Sequence, residues 1–329
     1  MSALRPGAPA PVRGAVRRPS RWSGLCLSTL SACLPQTETG DSAVQPDPAT
    51  VPLAGACPME TDFGGFAVTR GETESSVSGA VADGVVPTAV LTEVAREGEC
   101  EVMRRENPFC DPGCEPGETC DLEGACVPYP TNRDLGTVEV GGLSEPVQMT
   151  AVFPGNTYYD TDLPHPAFEP GGLVTLDMPA GAYGPATLHG VGVEPLEGVG
   201  KWTLGEGLDL AVTWAPPGAG ARSEIVLKAA IDQHGVTPGV LRCTFADSGT
   251  ATVPASVVSA LVSAGVTGFP SGTLERRTAD RTDAGAGCMD FVVSAPRTVE
   301  VTVAGHTPCV TDEECPEEQS CDEELQTCG

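Results

Sequence analysis

The stretch VLRCTFADSGTATVPASVVSALVSAG, residues 240–265, changes its period in the middle. From Val240 to Ala246 apolar and polar residues alternate. Leu241, Cys243 and Phe245 share one face, Arg242 and Thr244 the other, as in a half-buried strand. From Pro254 the period lengthens. Val257, Val258, Leu261 and Val262 form the stripe of a short helix, with proline suited to its first turn and Gly265 to its end. Asp247-Ser248-Gly249 between them reads as a turn.

The same alternation recurs outward. In LDLAVTW, Leu208, Leu210, Val212 and Trp214 share one face, with Asp209, Ala211 and Thr213 on the other. EIVLKAAI sets Ile225, Leu227, Ala229 and Ile231 together, and TVEVTVAG from Thr298 continues the pattern. Toward the N-terminus FGGFAV, SVSGAVADGVVPTAVLTEV and CEVM read as short strands, with Asp83-Gly84 as a turn. With 40 glycines and 31 prolines in 329 residues, many short strands joined by turns are expected. The predicted fold is mainly β: an antiparallel β-sandwich with one short helix over residues 134–307. Residues 57–104 form a region of strands that can join it.

Two cysteine clusters flank this domain, at 105–130 and 308–329. Cys110, Cys114, Cys120 and Cys126 form the first, and Cys309, Cys315, Cys321 and Cys328 the second. CEPGETCDLEGAC and CPEEQSCDEELQTC align, both keeping Cys-x5-Cys-Asp and a further cysteine six or seven residues on. Segments this short hold no hydrophobic core and need staples. Zinc is the competing reading, but CxxC pairs are absent and no histidine lies inside either cluster. Each knot is expected to close within itself, first cysteine to third and second to fourth. Of the remaining candidates, Cys57, Cys100, Cys243 and Cys288, the last two are expected to pair. Cys243 faces inward and Cys288 opens the strand CMDFVV.

Charge is divided unevenly. Arg5, Arg13, Arg17, Arg18 and Arg21 precede residue 33 with no acid among them. Thirteen basic residues then face 45 acidic ones, a net charge of −32 beyond that point. Such a surface repels nucleic-acid phosphates, so nucleic acid is excluded as a partner. The basic segment leads into GLCLSTLSAC. Leu30, two small residues and Cys33 resemble the lipobox of bacterial lipoproteins, with a positive flank, an apolar stretch and small residues at the cut. On this reading 1–32 is a signal peptide, Cys33 carries lipid, and 33–56, with four prolines, is a flexible tether. Twelve cysteines then remain in the mature chain, an even set suited to disulfides in an oxidising compartment. No apolar run reaches about 18 residues.

The order of the first knot, CVPYP, GTVEVGGL, VTW, CTFADSGTATVPA and the acidic second knot is similar to Cys-rich secreted lipoproteins of myxobacteria, from about Phe63 to the C-terminus. The resemblance implies architecture and location, a lipid-anchored or secreted protein; Leu34 rather than aspartate after Cys33 favours the outer membrane. It implies no mechanism.

Chemistry is harder to find. Asp247-Ser248-Gly249-Thr250 has the wording of an aspartic-protease triplet. Such an enzyme needs two aspartates sharing a proton. The nearest second candidate, Asp283-Ala284-Gly285, lacks the hydroxyl. Asp247 is the one catalytic candidate, for a secreted aspartic-type hydrolase. As a turn residue accepting backbone hydrogen bonds, it would be replaced almost as well by asparagine. His165, His189, His234 and His306 have no metal-binding spacing and read as exposed turn residues. There is no HExxH and no Gly-x-Ser-x-Gly. Eight acids lie between Asp312 and Glu324, which suits a solvated face or, alternatively, a calcium-stabilised adhesion module, though no calcium loop is spelled out. The sequence calls for no cofactor and no metal. The expected role is non-catalytic, binding or structural, in the bacterial envelope, with an envelope or extracellular ligand.

Overall fold

A computed structural model describes residues 46–329 apart from 106–107, 180, 233–238, 265–267 and 286. The expected signal peptide, Cys33, the first part of the expected tether, His234 and Gly265 lie outside the described residues. The described part is mainly β, with a single α-helix, Ala255–Ala264. None of its helices is long and apolar enough to cross a membrane.

One sheet of nine strands organises the molecule. In spatial order they are Leu91–Glu97, Cys100–Arg105, Val240–Ala246, Glu224–Asp232, Phe269–Ala284, Gly287–Val299, Asp62–Arg70, Ser75–Val81 and Tyr158–Asp160. The strands of 62–105 therefore belong to the same sheet as those of 224–299. Most pairs are antiparallel, but Asp62–Arg70 runs parallel to Gly287–Val299. Trp202–Leu204 likewise runs parallel to Val301–Val303. The mainly β, largely antiparallel architecture is as expected, and these two parallel pairs are added to it. The cause is connectivity: Asp62–Arg70 enters the sheet beside a strand more than 200 residues later, with no hairpin to reverse it.

Two separate cores lie on one face of this sheet. The first packs Phe66, Val68, Val77, Phe291 and Val293 against a four-stranded antiparallel sheet that carries Val138, Val140, Val147, Leu176 and Leu188. The second packs Val102, Ile225, Leu227, Leu241 and Leu274 against two ribbons and the helix, which supply Trp202, Leu210, Val212, Val257 and Leu261. Close approach is set by missing side chains. A Cβ on Gly190 would stand 2.3 Å from Val293, and one on Gly272 2.8 Å from Trp202. Each core thus has a glycine where its covering layer meets the long strands.

The expected strand faces hold with one exception. Ile225, Leu227, Ala229 and Ile231 are buried together, as are Leu241 and Cys243. Leu210, Val212 and Trp214 are buried, but Leu208 is exposed, because the strand starts only at Leu210 and Leu208 closes a turn from Gly205. The helix buries Val257, Val258 and Leu261 as its stripe requires. Asp209 accepts the Ala255 N–H at 2.7 Å, capping the helix from another loop.

Residues 46–56 are not a free tether. Arg222 Nη1 donates to the carbonyls of Pro48 and Val51, at 3.0 and 2.6 Å. Val51 is buried with Leu173 and Val191. Past Arg277, where the neighbouring strand ends, the Phe269–Ala284 strand has an open edge, and this strap fills it. Gly55 N–H donates to Ala279 O, Ala54 N–H to Asp280, and Arg281 donates to Ala56 O. Cys57 then forms a disulfide with Cys288.

All twelve cysteines from Cys57 onward are paired. The expected Cys243–Cys288 bridge is not formed: Cys243 pairs with Cys100 and Cys288 with Cys57. The reason is parity. Cys243 shares the inward face of Leu241, directly opposite Cys100 in register. Cys288 shares the face of Asp290, one residue out of phase with the inward Met289 and Phe291. The two point to opposite sides of the sheet.

The knots close within themselves, Cys110–Cys120 and Cys114–Cys126, then Cys309–Cys321 and Cys315–Cys328. Each is built on a small hairpin, Glu118–Cys120 with Cys126–Pro128 and Cys321–Asp322 with Thr327–Cys328. The repeated Cys-Asp has a physical purpose. Asp121 accepts the N–H groups of Glu123 and Ala125, and Asp322 those of Glu324 and Leu325, so the same carboxylate shapes both turns.

Candidate functional site

The two cores meet at a polar seam on the inner face of the long strands. Along Phe269–Ala284 this face runs from Leu274, in the second core, through Arg276, Thr278 and Asp280 to Ala284, in the first. Along Gly287–Val299 it runs from Val293 and Ala295 through Arg297 to Val299. The segment joining the covering layers, Glu194–Glu197, crosses here. It would carry unpaired carbonyls into the interior if the seam were apolar.

Arginines meet that need. Arg276 is 1% exposed. Its Nη1 donates to the carbonyls of Glu194 and Pro195 at 3.3 and 3.2 Å, and its Nη2 to Ala215 O at 2.7 Å. Its remaining two N–H groups go to Asp247, Nε to Oδ2 at 2.6 Å and Nη2 to Oδ1 at 3.1 Å. All five donors of the guanidinium are used. Arg297 Nη1 donates to Leu196 O at 3.2 Å.

Asp247, the catalytic candidate of the sequence, is therefore the counter-ion of a buried arginine. Trp214 Nε1 donates to Oδ1 at 2.7 Å and Ser223 Oγ to Oδ2 at 2.6 Å. With the two arginine bonds, four donors occupy about the four lone-pair positions a carboxylate offers. Asp283 lies seven residues beyond Arg276 on the same strand, about 23 Å of strand rise, so the two aspartates share no proton. The turn reading holds, but the bond partners are side chains, chiefly a buried cation. Asparagine is accordingly a poor replacement, against the expectation from a backbone-capping role.

The same seam stitches the small sheet to the large one. Thr278 Oγ1 donates to Val191 O and accepts from Val191 N–H, both at 2.9 Å. Asp280 Oδ2 accepts the His189 N–H at 3.0 Å and lies 3.7 Å from His189 Nδ1. His189 thus stands on a strand, half-buried, and is no exposed turn residue. His306 is also half-buried, facing Gly268 and hydrogen-bonded to Thr327 of the second knot at 2.6 Å. His165 alone of the described histidines is exposed in a loop.

Two cavities flank the crossing segment. One, of about 250 Å³, lies beside Pro48, Val193, Glu194, Arg222 and Thr278. The other, of about 290 Å³, is lined by Arg70, Glu72, His165, Pro195, Glu197 and Arg297. Sequence reasoning missed Arg70, Arg276 and Arg297. For Arg70 and Arg297 a signal was present, since each continues an apolar face, Phe66 and Val68 or Val293 and Ala295; Arg276 had none, because Thr278 and Asp280 follow it on the same face.

Acids of the second knot work locally. Asp312 accepts the Cys321 N–H at 2.7 Å, and Glu314 caps Val310 and Thr311. The close sulfurs of Cys110, Cys114 and Cys126, and of Cys309, Cys315 and Cys321, belong to disulfides.

No protein-family model matches the chain, and no curated protein matches it. Among solved structures, the FN1–FN3 domains of chicken CNTN1 are similar over 69% of this chain and 78% of that one, at 10% identity. The TM-score is 0.18, too low to bear on fold or function.

Proposed function

We propose that this is a lipid-anchored protein of the bacterial outer membrane, acylated at Cys33, whose disulfide-locked body has a non-catalytic binding or structural role. The observation that carries the reading is the pairing of all twelve cysteines from Cys57 onward into six bridges. That many disulfides suit an exported protein. The lipobox-like Leu30–Cys33 supplies the anchor. Saturation of Asp247 by four donors supports a body without aspartic-protease chemistry.

Stable attachment needs more than one acyl chain, since each buried methylene contributes about 0.8 kcal/mol and a single chain binds marginally. The test is to express the full chain in a bacterial host with a fatty-acid analogue and compare Cys33→Ala. The expected result is label and membrane partition in the wild type, with release of the variant. Absence of label, or equal membrane partition of the variant, removes the anchor.

A further inference from the structure

The cavity of about 290 Å³ beside the crossing segment is lined by two arginines, two glutamates and a histidine. Phe66 and Val68 fill the first core, and Arg70 continues their face at the end of the strand. Val293 and Ala295 do the same on the adjacent strand, and Arg297 continues theirs. The strands run parallel with Thr69 beside Ser294, so both guanidinium groups emerge at one end of the core. Their state contrasts with Arg276, on the same inner face one strand from Arg297 and two from Arg70. Arg276 has a buried carboxylate and no free donor. Arg297 gives one bond to Leu196 O, and its nearest carboxylate oxygen, on exposed Glu72, is 3.8 Å away. The Arg70 side chain takes part in no ion pair or hydrogen bond among the described residues, although the chain is strongly acidic.

A third polar group is held in place. Ser75 is buried, and its Oγ accepts the Ala167 N–H at 3.2 Å. Ser75 Oγ is also hydrogen-bonded to His165 Nδ1 at 2.9 Å, which orients the ring. With Nδ1 engaged there, Nε2 is the ring nitrogen left to a ligand on this residue of the lining. The two acids of the lining, Glu72 and Glu197, are both exposed at the rim.

We infer that this cavity binds a small carboxylate, held by Arg70 and Arg297 with His165 Nε2 as a further contact. The rim glutamates favour a carboxylate that also carries an amine, as an amino acid or a short peptide does. Planar guanidinium groups match a carboxylate in two-pronged fashion, which gives both strength and orientation. The inference rests on the binding reading of the body but not on the anchor. It is tested in solution, so failure of acylation and failure of this site are read separately.

The experiment is a ligand-observed NMR titration of the oxidised full chain, at low ionic strength, with acetate, glycylglycine and inorganic phosphate as probes. Glycylglycine is expected to bind saturably and more tightly than acetate, and phosphate more weakly than either. Arg70→Gln and Arg297→Gln should each weaken glycylglycine by about tenfold or more, the loss of one charge-assisted contact. Arg133→Gln, whose partner Asp83 lies elsewhere, should change nothing. Arg70→Lys, which keeps the charge and the fold but loses the fork, should fall between. The inference is overturned if no carboxylate saturates, if both glutamine variants bind as the wild type does, or if phosphate binds best.

Discussion

The seam and the knots hold their parts together by opposite means. The seam has no covalent bond. It depends on one buried guanidinium whose five donors reach the crossing segment, the Ala215 carbonyl and Asp247. The knots bury almost nothing and depend on bridges spanning 10 to 13 residues. A change at the seam is felt by both cores, because the same two strands run through them. A change in a knot stays where it is made. Between these extremes stand the two bridges of the body, covalent like the knots but closing loops of 231 and 143 residues.

The comparison breaks first at the strap. Cross-linking restricts the unfolded chain more for longer loops, and the chain-entropy relation gives about 5 kcal/mol for the Cys57–Cys288 loop. Cys57→Ser with Cys288→Ser should lower the urea midpoint of the whole body and free residues 46–56 to protease. If the midpoint does not move, the strap contributes nothing to the sheet. Cys309→Ser with Cys321→Ser should cost about 3 kcal/mol by the same relation, but only within the knot. Hydrogen exchange should rise across 308–329 and stay unchanged in Glu224–Asp232; loss of protection in that strand would join knot and core. Smaller still, Asp322→Ala removes the acceptor of two turn N–H groups and should cost about 1 kcal/mol, again locally, read from exchange at Glu324 and Leu325.

Asp290 sharpens the contrast with Asp247. It too is largely buried, and it accepts the Cys57 N–H at 3.2 Å, but it has no arginine bonded to it. Burial first, then the Asp62 carboxylate, hold its carboxyl above the ordinary value, against the pull of Cys57 N–H, Arg277 and Arg242. The folded protein therefore binds this proton more tightly than the unfolded chain does. The stability this gives is present below the ordinary carboxyl range and is lost as pH rises through the raised value. Asp290→Asn keeps an acceptor for Cys57 and removes the charge. It should raise the melting temperature at neutral pH and leave it unchanged near pH 3, below the ordinary aspartate pKa of about 3.9. A lower melting temperature at neutral pH would mean that the charge is stabilising.

Much of the second core was legible because its faces alternate cleanly. Ile225 to Ile231, Leu241 with Cys243, and Val257 to Leu261 lie where a period of two or of 3.6 puts them. The longest strand, Phe269–Ala284, was not, since TLERRTADRTDA is polar on both faces. Its inward polar residues are the seam itself, so the failure of the pattern marked the candidate site. The turn at Asp247 could be read locally, but its partner Arg276 is 29 residues away and only the fold brings them together. The Cys243–Cys288 expectation failed for want of a face assignment on the second strand. One more step of alternation, from Met289 and Phe291 inward to Cys288 outward, would have corrected it.

Asp247 is the counter-ion that closes the seam, and a double-mutant cycle with Arg276 tests this role most directly. Asp247→Asn leaves a buried guanidinium without its charge partner and should cost about 3–5 kcal/mol by urea unfolding. Arg276→Met in the Asp247→Asn background should recover a clear part of that loss, giving a coupling energy of about 1 kcal/mol or more. Additive losses, or an Asp247→Asn variant as stable as the wild type but lacking a wild-type proteolytic activity at acid pH, would contradict the structural role and return Asp247 to catalysis.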